Sequence, residues 1–368
     1  MENQILLQSY QLGDLTLNNR MVMAPMTRSR SDNPGNVATE MTAEYYKQRA
    51  SAGLIITEGT YISSEAVGFI NVPGIYTAEQ TAGWKLVTEA VHSEGGKIFA
   101  QLWHVGRLSH PSLHDGKLPL APSALNPFDK AFTNTGFEAT VVPREMTVED
   151  IERTIQDFKT AAANAVEAGF DGIELHAANG YLFHQFFNVY SNRRTDEYGG
   201  SIEKRAKILF DTLDALKEVI DLKRVGVRLN PSLHGAQGMM IDSESIQVHE
   251  YIVEKLNDYG LAYLHLTEPF TPVDNVPYAV KEVAVHFRPL FKGTLIINKG
   301  FNRETGNQVI ENGHADLVAY GVPFLANPDL VDRFLKDAPL NTPDQATFYA
   351  TGPKGYIDYP TLAELNMN

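Results

Sequence analysis

The chain contains no cysteine. Disulfides, thiolate metal centres, cysteine nucleophiles and cysteine-ligated iron–sulfur clusters are therefore excluded. Positive charge is scarce too: 31 Lys and Arg stand against 45 Asp and Glu, a formal net charge of −14. A field of that sign repels nucleic acid and anionic membrane surfaces, so neither is expected as a partner. No apolar run approaches the roughly 18 residues that span a bilayer. Met1 to Tyr10 has neither a basic n-region nor an apolar h-region, so no secretory signal is visible and a cytoplasmic location is expected. No Gly-x-Gly-x-x-Gly follows the first strand, which argues against a doubly wound dinucleotide fold. No internal repeat, low-complexity tract or linker divides the chain, so 1–368 is expected to be one domain.

What is present is a large apolar fraction, 43% of 368 residues, enough for a substantial core. Strand-like and helix-like stretches alternate along it. The expected strands are Met21–Ala24, Leu54–Thr57, Lys97–Leu102, Gly172–His176, Val225–Leu229, Tyr263–Thr267, Leu295–Ile297 and Leu317–Ala319. The expected helices are Thr42–Ser51, Thr77–Ser93, Thr147 onward, Ser201–Asp221, Ser243–Tyr259, Ala279–Lys292, Arg303–Glu311 and Asn327–Leu335. The third is the best marked. Thr147 and Asp150 make a capping-box-like start, Val148, Ile151, Ile155, Phe158, Ala162 and Val166 share one helical face, and Gly169 suits the stop. Eight β/α pairs of short buried strands indicate an α/β protein, a closed (β/α)8 TIM barrel, here with an N-terminal hairpin. Residues 104–145 break the rhythm after strand three and carry Pro111, Pro119, Pro122, Pro127 and Pro143. A structureless stretch of this length is often functional. It reads either as a cap over the barrel mouth or as a surface loop.

In such a barrel, chemistry gathers at the C-terminal ends of the strands. Those ends carry Pro25, Met26 and Thr27; Glu58 and Gly59; Gln101 and Trp103; His176, Asn179 and Tyr181; Arg228 and Asn230; Lys299 and Gly300; and Tyr320 and Gly321. His176 and Asn179 lie three residues apart and would share one face if the chain turns helically after its strand. Both side chains can donate, so together they could hold a carbonyl, nitro or phenolate oxygen. Tyr181 is protonated at neutral pH and can serve as a general acid. A charge inside a barrel strand calls for an anionic partner, which for Arg228 is either a cofactor or a neighbouring carboxylate.

The stretches MAPMTRSR, AGLIITEGT, AQLWHVGR, DGIELHAANGYLFHQFFNVYSNRRTDEYGGS, VGVRLNP, LANPDL and FYATGPKGYIDYP resemble the Old Yellow Enzyme family of FMN-dependent ene-reductases. The likeness runs from about Leu6 to about Pro360 and so covers nearly the whole chain. It implies a bound FMN, hydride supplied by NADPH or NADH, and ping-pong reduction of an activated C=C bond in small α,β-unsaturated substrates such as enones, enals, maleimides and nitroalkenes. By the same likeness His176 and Asn179 bind the activating oxygen, and Tyr181 delivers the proton. Gln101 and Arg228 face the flavin's pyrimidine edge, Thr27 its O4, and Pro25, Met26 and Gly59 make backbone contacts to the ring. Thr27 stands where part of the family has cysteine, which puts this chain with the classical branch. The loops after strands seven and eight, with Lys299, Gly300, Phe301, Gly321 and Val322, are the expected phosphate site.

That site departs from the family pattern. Relatives usually read Gly-Arg where this chain reads Gly321-Val322, so a charge-assisted phosphate contact is missing. Either Lys299 or Arg303 substitutes, or FMN is held less tightly. Phe69, Trp103, Phe270 and Tyr349 are expected pocket walls, each equally readable as ordinary packing. His104, His110 and His114 invite a metal, but their loop lacks zinc-like ligand spacing, so none is expected. The alternatives are a metal-dependent barrel hydrolase, a flavin barrel with an iron–sulfur module (argued against by the missing cysteines), and a non-catalytic binding barrel. Monomer and dimer both remain open.

Overall fold

A computed structural model describes residues 4–365 of the chain. The first three residues of the Met1 to Tyr10 stretch, and the last three of the expected 1–368 domain, lie outside the described residues. Eight parallel strands close into a ring in chain order. We number them β1 (Met21–Met23), β2 (Leu54–Tyr61), β3 (Ile98–Trp103), β4 (Gly172–His176), β5 (Val225–Leu229), β6 (Tyr263–Thr267), β7 (Leu295–Asn298) and β8 (Leu317–Tyr320).

Strand alternation divides the side chains between two environments. From β4, β5 and β6, the residues Ile173, Leu175, Val225, Val227, Leu264 and Leu266 pack outward in the core shared with the helices. The alternate positions Glu174, His176, Arg228, His265 and Thr267 face inward. The N-terminal half of the interior is apolar. There Val22, Leu54, Ile56, Phe99, Tyr263, Ile296 and Leu317 form a second buried cluster. The antiparallel hairpin Tyr10–Leu12/Leu15–Leu17 adds Leu12, Leu15 and Leu17 to that cluster and so floors the barrel. The polar residues are thereby confined to the half toward the C-terminal mouth.

The helix after the 104–145 excursion runs Val148–Glu167 with both halves of the Thr147/Asp150 capping box formed, and Gly169 has φ +86°. Its buried face holds Ile151, Ile155, Phe158 and Ala162 but not Val166, which is 47% exposed; Ala161 and Ala165 are buried instead. Other helices are shorter than their periodicity suggests. The expected Ala279–Lys292 helix is only Val283–Phe287. The Glu268 carboxylate accepts from the N–H groups of Val283 and Ala284 and fixes the start, while Pro289 tightens the end to a 3-10 turn. The 104–145 excursion is not structureless. It holds the antiparallel hairpin Lys130–Thr133/Gly136–Ala139 and a short pairing of Leu120–Ala121 with Arg144–Glu145.

The C-terminal tail is fastened by buried arginines. Arg28 donates to the carbonyls of Phe348 and Gly355, and Arg30 to those of Thr347, Phe348, Gly352 and Lys354. Arg49 donates to the carbonyls of Tyr45, Phe324, Leu325 and Tyr356 and lies 3.9 Å over the Tyr45 ring, which stacks on Tyr356. Removing a buried donor from several carbonyls costs about 1–3 kcal/mol for each acceptor left unsatisfied. Arg49→Ala is therefore expected to destabilise the protein by on the order of 3 kcal/mol or more, read from the urea midpoint. A loss below about 1 kcal/mol would show that other contacts hold the tail.

Candidate active site

A cavity of about 180 Å³ opens at the mouth, lined by Thr27, Ser29, Phe69, Trp103, Phe132, Phe137, Tyr181 and Tyr349. Phe69, Trp103, Tyr181 and Tyr349 were expected around a substrate pocket and Thr27 at the flavin O4, whereas His176 and Asn179 are not among the lining residues. Trp103 is its central wall. It stacks on Tyr61 and Phe69 at ring distances of 5.2 and 5.7 Å, and Tyr181 meets it edge-on at 4.8 Å. The Tyr61 hydroxyl accepts from the N–H groups of Gly68 and Phe69 and so places Phe69. Gly59 serves this wall directly. A Cβ there would come within 2.4 Å of the Trp103 ring, and the β2–β3 register shifts between Ile56 and Gly59.

Thr27 and Tyr349 reach the cavity from opposite ends of the chain through one clamp. The Phe348 carbonyl, next to Tyr349, accepts from both Arg28 and Arg30. The Arg28 N–H, next to Thr27, donates to Glu58 at 3.1 Å. Burial pushes the Glu58 carboxyl up to about 7, with Arg28 and Arg30 pulling against it.

After β4 the chain does not turn helically. Asn179 and Gly180 have φ +54° and +73°, and the Tyr181 N–H closes a tight turn on the Ala178 carbonyl at 3.1 Å. Asn and Gly are the residues that tolerate this left-handed backbone, whereas a helical turn would need negative φ at both positions. The Tyr181 ring then lies 4.9 Å from the His176 ring. Burial and the nearby Arg228 hold His176 far below the usual imidazole range, so it is neutral, and its Nδ1 is buried without a partner. Burial and Tyr349 raise the Tyr181 phenol above its ordinary value, and its oxygen accepts from Gln237 Nε2 at 3.3 Å. Asn179 Oδ1 accepts from Asn230 Nδ2 at 2.8 Å.

Below this cluster a polar layer crosses the barrel. Glu174 accepts from Gln101 Nε2 at 2.7 Å and pairs with His265 Nδ1 at 2.8 Å. Burial favours its neutral form, yet His265, Arg228 and Gln101 together hold its carboxyl below the ordinary value. One N–H of the Gln101 amide is thus engaged, and the side chain keeps its second N–H and its carbonyl oxygen. Arg228 is 5% exposed, and among the described residues no carboxylate lies within ion-pair distance. Among the described residues its one bond is to Asn298 Oδ1 at 3.2 Å, and its Nε has no partner. Thr267 Oγ1 is likewise buried and unpaired.

At the ends of β7 and β8, Lys299 and Gly300 both have left-handed backbone, with φ +88° and +85°, and Phe301 packs against the core. Gly321 precedes the short helix Val322–Ala326, and Val322 is 44% exposed. Arg303 is engaged elsewhere, in an ion pair with Asp337 at 2.7 Å and a bond to the Phe334 carbonyl. Lys299 is exposed and makes no ion pair among the described residues; its ammonium lies 5.3 Å over the Phe270 ring. Phe270 does not line the 180 Å³ cavity. It lies under the Lys299 ammonium instead, and Phe132 and Phe137 of the excursion hairpin supply the wall. The donor set suits FMN: a buried guanidinium with no carboxylate and a free Nε, an unpartnered imidazole nitrogen and hydroxyl, and glycine-containing loops at β7 and β8.

The loop histidines do not converge. His104 Nδ1 accepts from the Gly106 N–H, and burial lowers its pKa to about 3. His114 bonds Ser109, and His110 bonds Ser112. Among the described residues no three His, Asp or Glu are grouped to hold a metal ion, so nothing favours the hydrolase alternative.

Sequence reasoning missed Glu174, His265, Gln237, Phe132 and Phe137. Glu174 and His265 had a signal, a polar residue at an alternate position of an otherwise apolar strand. The aromatics flank Asn134, Thr135 and Gly136, a hairpin-turn composition. Gln237 had none: only its φ of +54° in the folded loop brings it to Tyr181.

Comparison with known proteins agrees with this geometry. Residues 6–341 match the NADH:flavin oxidoreductase / NADH oxidase family. The 12-oxophytodienoate reductase 1 of Oryza sativa subsp. japonica is 43% identical over 367 residues, 98% of this chain and 94% of the rice protein. The 12-oxophytodienoate reductase 2 of Arabidopsis thaliana is 41% identical over 361 residues, 97% of this chain and 96% of that one. Among solved structures, morphinone reductase superposes with a TM-score of 0.91 at 44% identity, covering 98% of this chain and 97% of its own. The Old Yellow Enzyme homologue from Zymomonas mobilis superposes with a TM-score of 0.92 at 40% identity, covering 97% and 99%. The chain belongs to the NADH:flavin oxidoreductase / NADH oxidase family, in the Old Yellow Enzyme group of FMN-dependent NAD(P)H oxidoreductases.

Proposed function

We propose that the protein reduces activated C=C bonds of enones, enals, maleimides and nitroalkenes at this cavity, on one FMN-binding barrel domain. The observation that carries the reading is the placement of a neutral phenol, Tyr181, in the cavity wall against the neutral imidazole of His176. FMN, when bound, supplies the hydride after reduction by NADPH or NADH. Gln101 and Arg228 would meet its pyrimidine edge, and Thr27, Pro25, Met26 and the Gly59 backbone its ring. Lys299, Gly300, Phe301, Gly321 and Val322 would surround the phosphate.

His176 and Asn179 hold the activating oxygen of the substrate. A neutral imidazole and a carboxamide polarise a C=C–C=O system without placing a full charge on it, and their donors strengthen as the oxygen becomes enolate-like. Tyr181 holds a proton that burial keeps on its oxygen, and it gives that proton to the α-carbon. Gln237 donates to the phenol oxygen, so the Tyr181 O–H is left to point elsewhere, and the same bond steadies the tyrosinate that follows transfer. Trp103, Phe69, Phe132, Phe137 and Tyr349 keep water from the reacting carbons and select flat, apolar substrates.

Three outcomes are expected. Tyr181→Phe should retain FMN, NADPH oxidation and phenol binding but slow enone turnover by about 10²–10⁴-fold, the usual contribution of general acid catalysis; undiminished turnover would remove Tyr181 as the proton donor. Because burial and Arg228 hold His176 neutral far below its ordinary value, the Michaelis constant for an enone should be flat from pH 8 down to pH 6. A constant that tightens as pH falls through about 6.5, the ordinary imidazole value, would mean that an imidazolium forms and binds the substrate oxygen. Lys299→Ala should raise the FMN Kd by about 10- to 100-fold in a fluorimetric titration, the loss of one charged hydrogen bond. Arg303→Ala, already tied to Asp337, should leave it unchanged. The opposite ranking would move the phosphate contact to Arg303.

A further inference from the structure

Asn179 presents a difficulty that its own residue type does not resolve. A carboxamide has a donor end and an acceptor end of nearly the same shape. If Asn179 turned its oxygen to the substrate, it would set lone pairs against the activating oxygen and repel what it is meant to hold. The left-handed backbone at φ +54° places the side chain but does not choose its rotation about the last bond.

The choice is made from the next strand. Asn230 follows the end of β5 by one residue and is fully buried, at 0% exposure. Its Nδ2 donates to Asn179 Oδ1 at 2.8 Å. That bond occupies the Asn179 oxygen and leaves its NH₂ to point away. Flipping both amides would preserve one bond between them, but it would point both N–H groups of Asn230 into a buried site where it now holds only an unpaired Oδ1. The flip would leave two donors without an acceptor in place of one unpaired acceptor, so the observed orientation is the favoured one. We infer that Asn230 is a positioning residue, one that never touches the substrate but fixes Asn179 as a hydrogen-bond donor and so sets the site's preference for substrates with an accepting oxygen.

The inference rests on the assignment of Asn179 to the substrate oxygen, and the test separates the two. The FMN-loaded protein is titrated with para-chlorophenol, following the long-wavelength absorption band, and the Michaelis constant for cyclohexenone is measured alongside as a neutral probe. Asn230→Leu removes the donor at similar size and frees Asn179 to rotate, so both constants should weaken several-fold. As a carboxylate, at a pH where it is ionised, Asn230→Asp can only accept, so it should turn the Asn179 NH₂ toward itself and weaken both by at least a further tenfold. In an Asn179→Ala background the Asp substitution should add nothing, because there is no amide left to turn. Should the Leu variant fail to fold, Asn230→Ala is read in its place. Leu and Asp variants that match wild type, or an Asp effect that persists without Asn179, would overturn the role of Asn230 while leaving the oxygen site intact. A wild-type protein that binds neither probe would remove the oxygen site, and this inference with it.

Discussion

A guanidinium held inside a barrel with no carboxylate on it is the constraint around which the mouth of this protein is organised. An isolated buried charge costs several kcal/mol, and proteins normally meet that cost with a counterion. Here the one carboxylate in the layer, Glu174, is already bonded to Gln101 and His265. It lowers the field around Arg228 without pairing with it. The barrel thus keeps an unused donor, Arg228 Nε, in its polar layer, and its floor of Leu, Ile, Phe and Val offers that donor no acceptor from below. On the proposed reading, the accepting pyrimidine edge of FMN would meet that donor.

The second constraint is how the walls are delivered. Thr27 and Tyr349 are more than three hundred residues apart in sequence, yet both border the same cavity because Arg28 and Arg30 hold the Phe348 carbonyl between them. The MTRSR segment and the FYATGPKGY tail are therefore one structural unit, joined by arginine-to-carbonyl bonds rather than by ion pairs. Such bonds are directional and short-ranged, so the tail's position is set by geometry and not by the protein's overall field. The excursion after β3 contributes in the same way, its hairpin carrying Phe132 and Phe137 over the mouth.

The barrel is legible in the sequence because its strands alternate one inward residue with one outward one, and because capping signals such as Thr147 with Asp150 mark helix starts locally. The strand-four cluster is legible because His176, Asn179 and Tyr181 fall within six residues of one strand end. What cannot be read is whatever depends on contacts between distant segments. Helix ends are the plainest case: the start of Val283–Phe287 is set by Glu268, fifteen residues upstream, and no periodicity reveals it. The turn after β4 reads as helical from its i, i+3 spacing, whereas the Asn-Gly pair adopts left-handed backbone. Gly59 reads from the family likeness as a flavin contact, and the structure shows it making room for Trp103.

Strain is distributed in keeping with this division. Ser29, Asn179, Gln237, Tyr278 and Lys299 all have positive φ, and they follow β1, β4, β5, β6 and β7 respectively. Each such residue costs about 1 kcal/mol or more relative to ordinary backbone and persists only where its surroundings over-determine it. None of the five lies on the apolar floor. Asn179 and Gln237 are held there by side-chain bonds, from Asn230 and to Tyr181, that exist only because the backbone is left-handed. The floor of the barrel therefore carries the stability, while the mouth uses some of it to keep an amide, a phenol and a lysine in orientations that their own conformational preferences would not select.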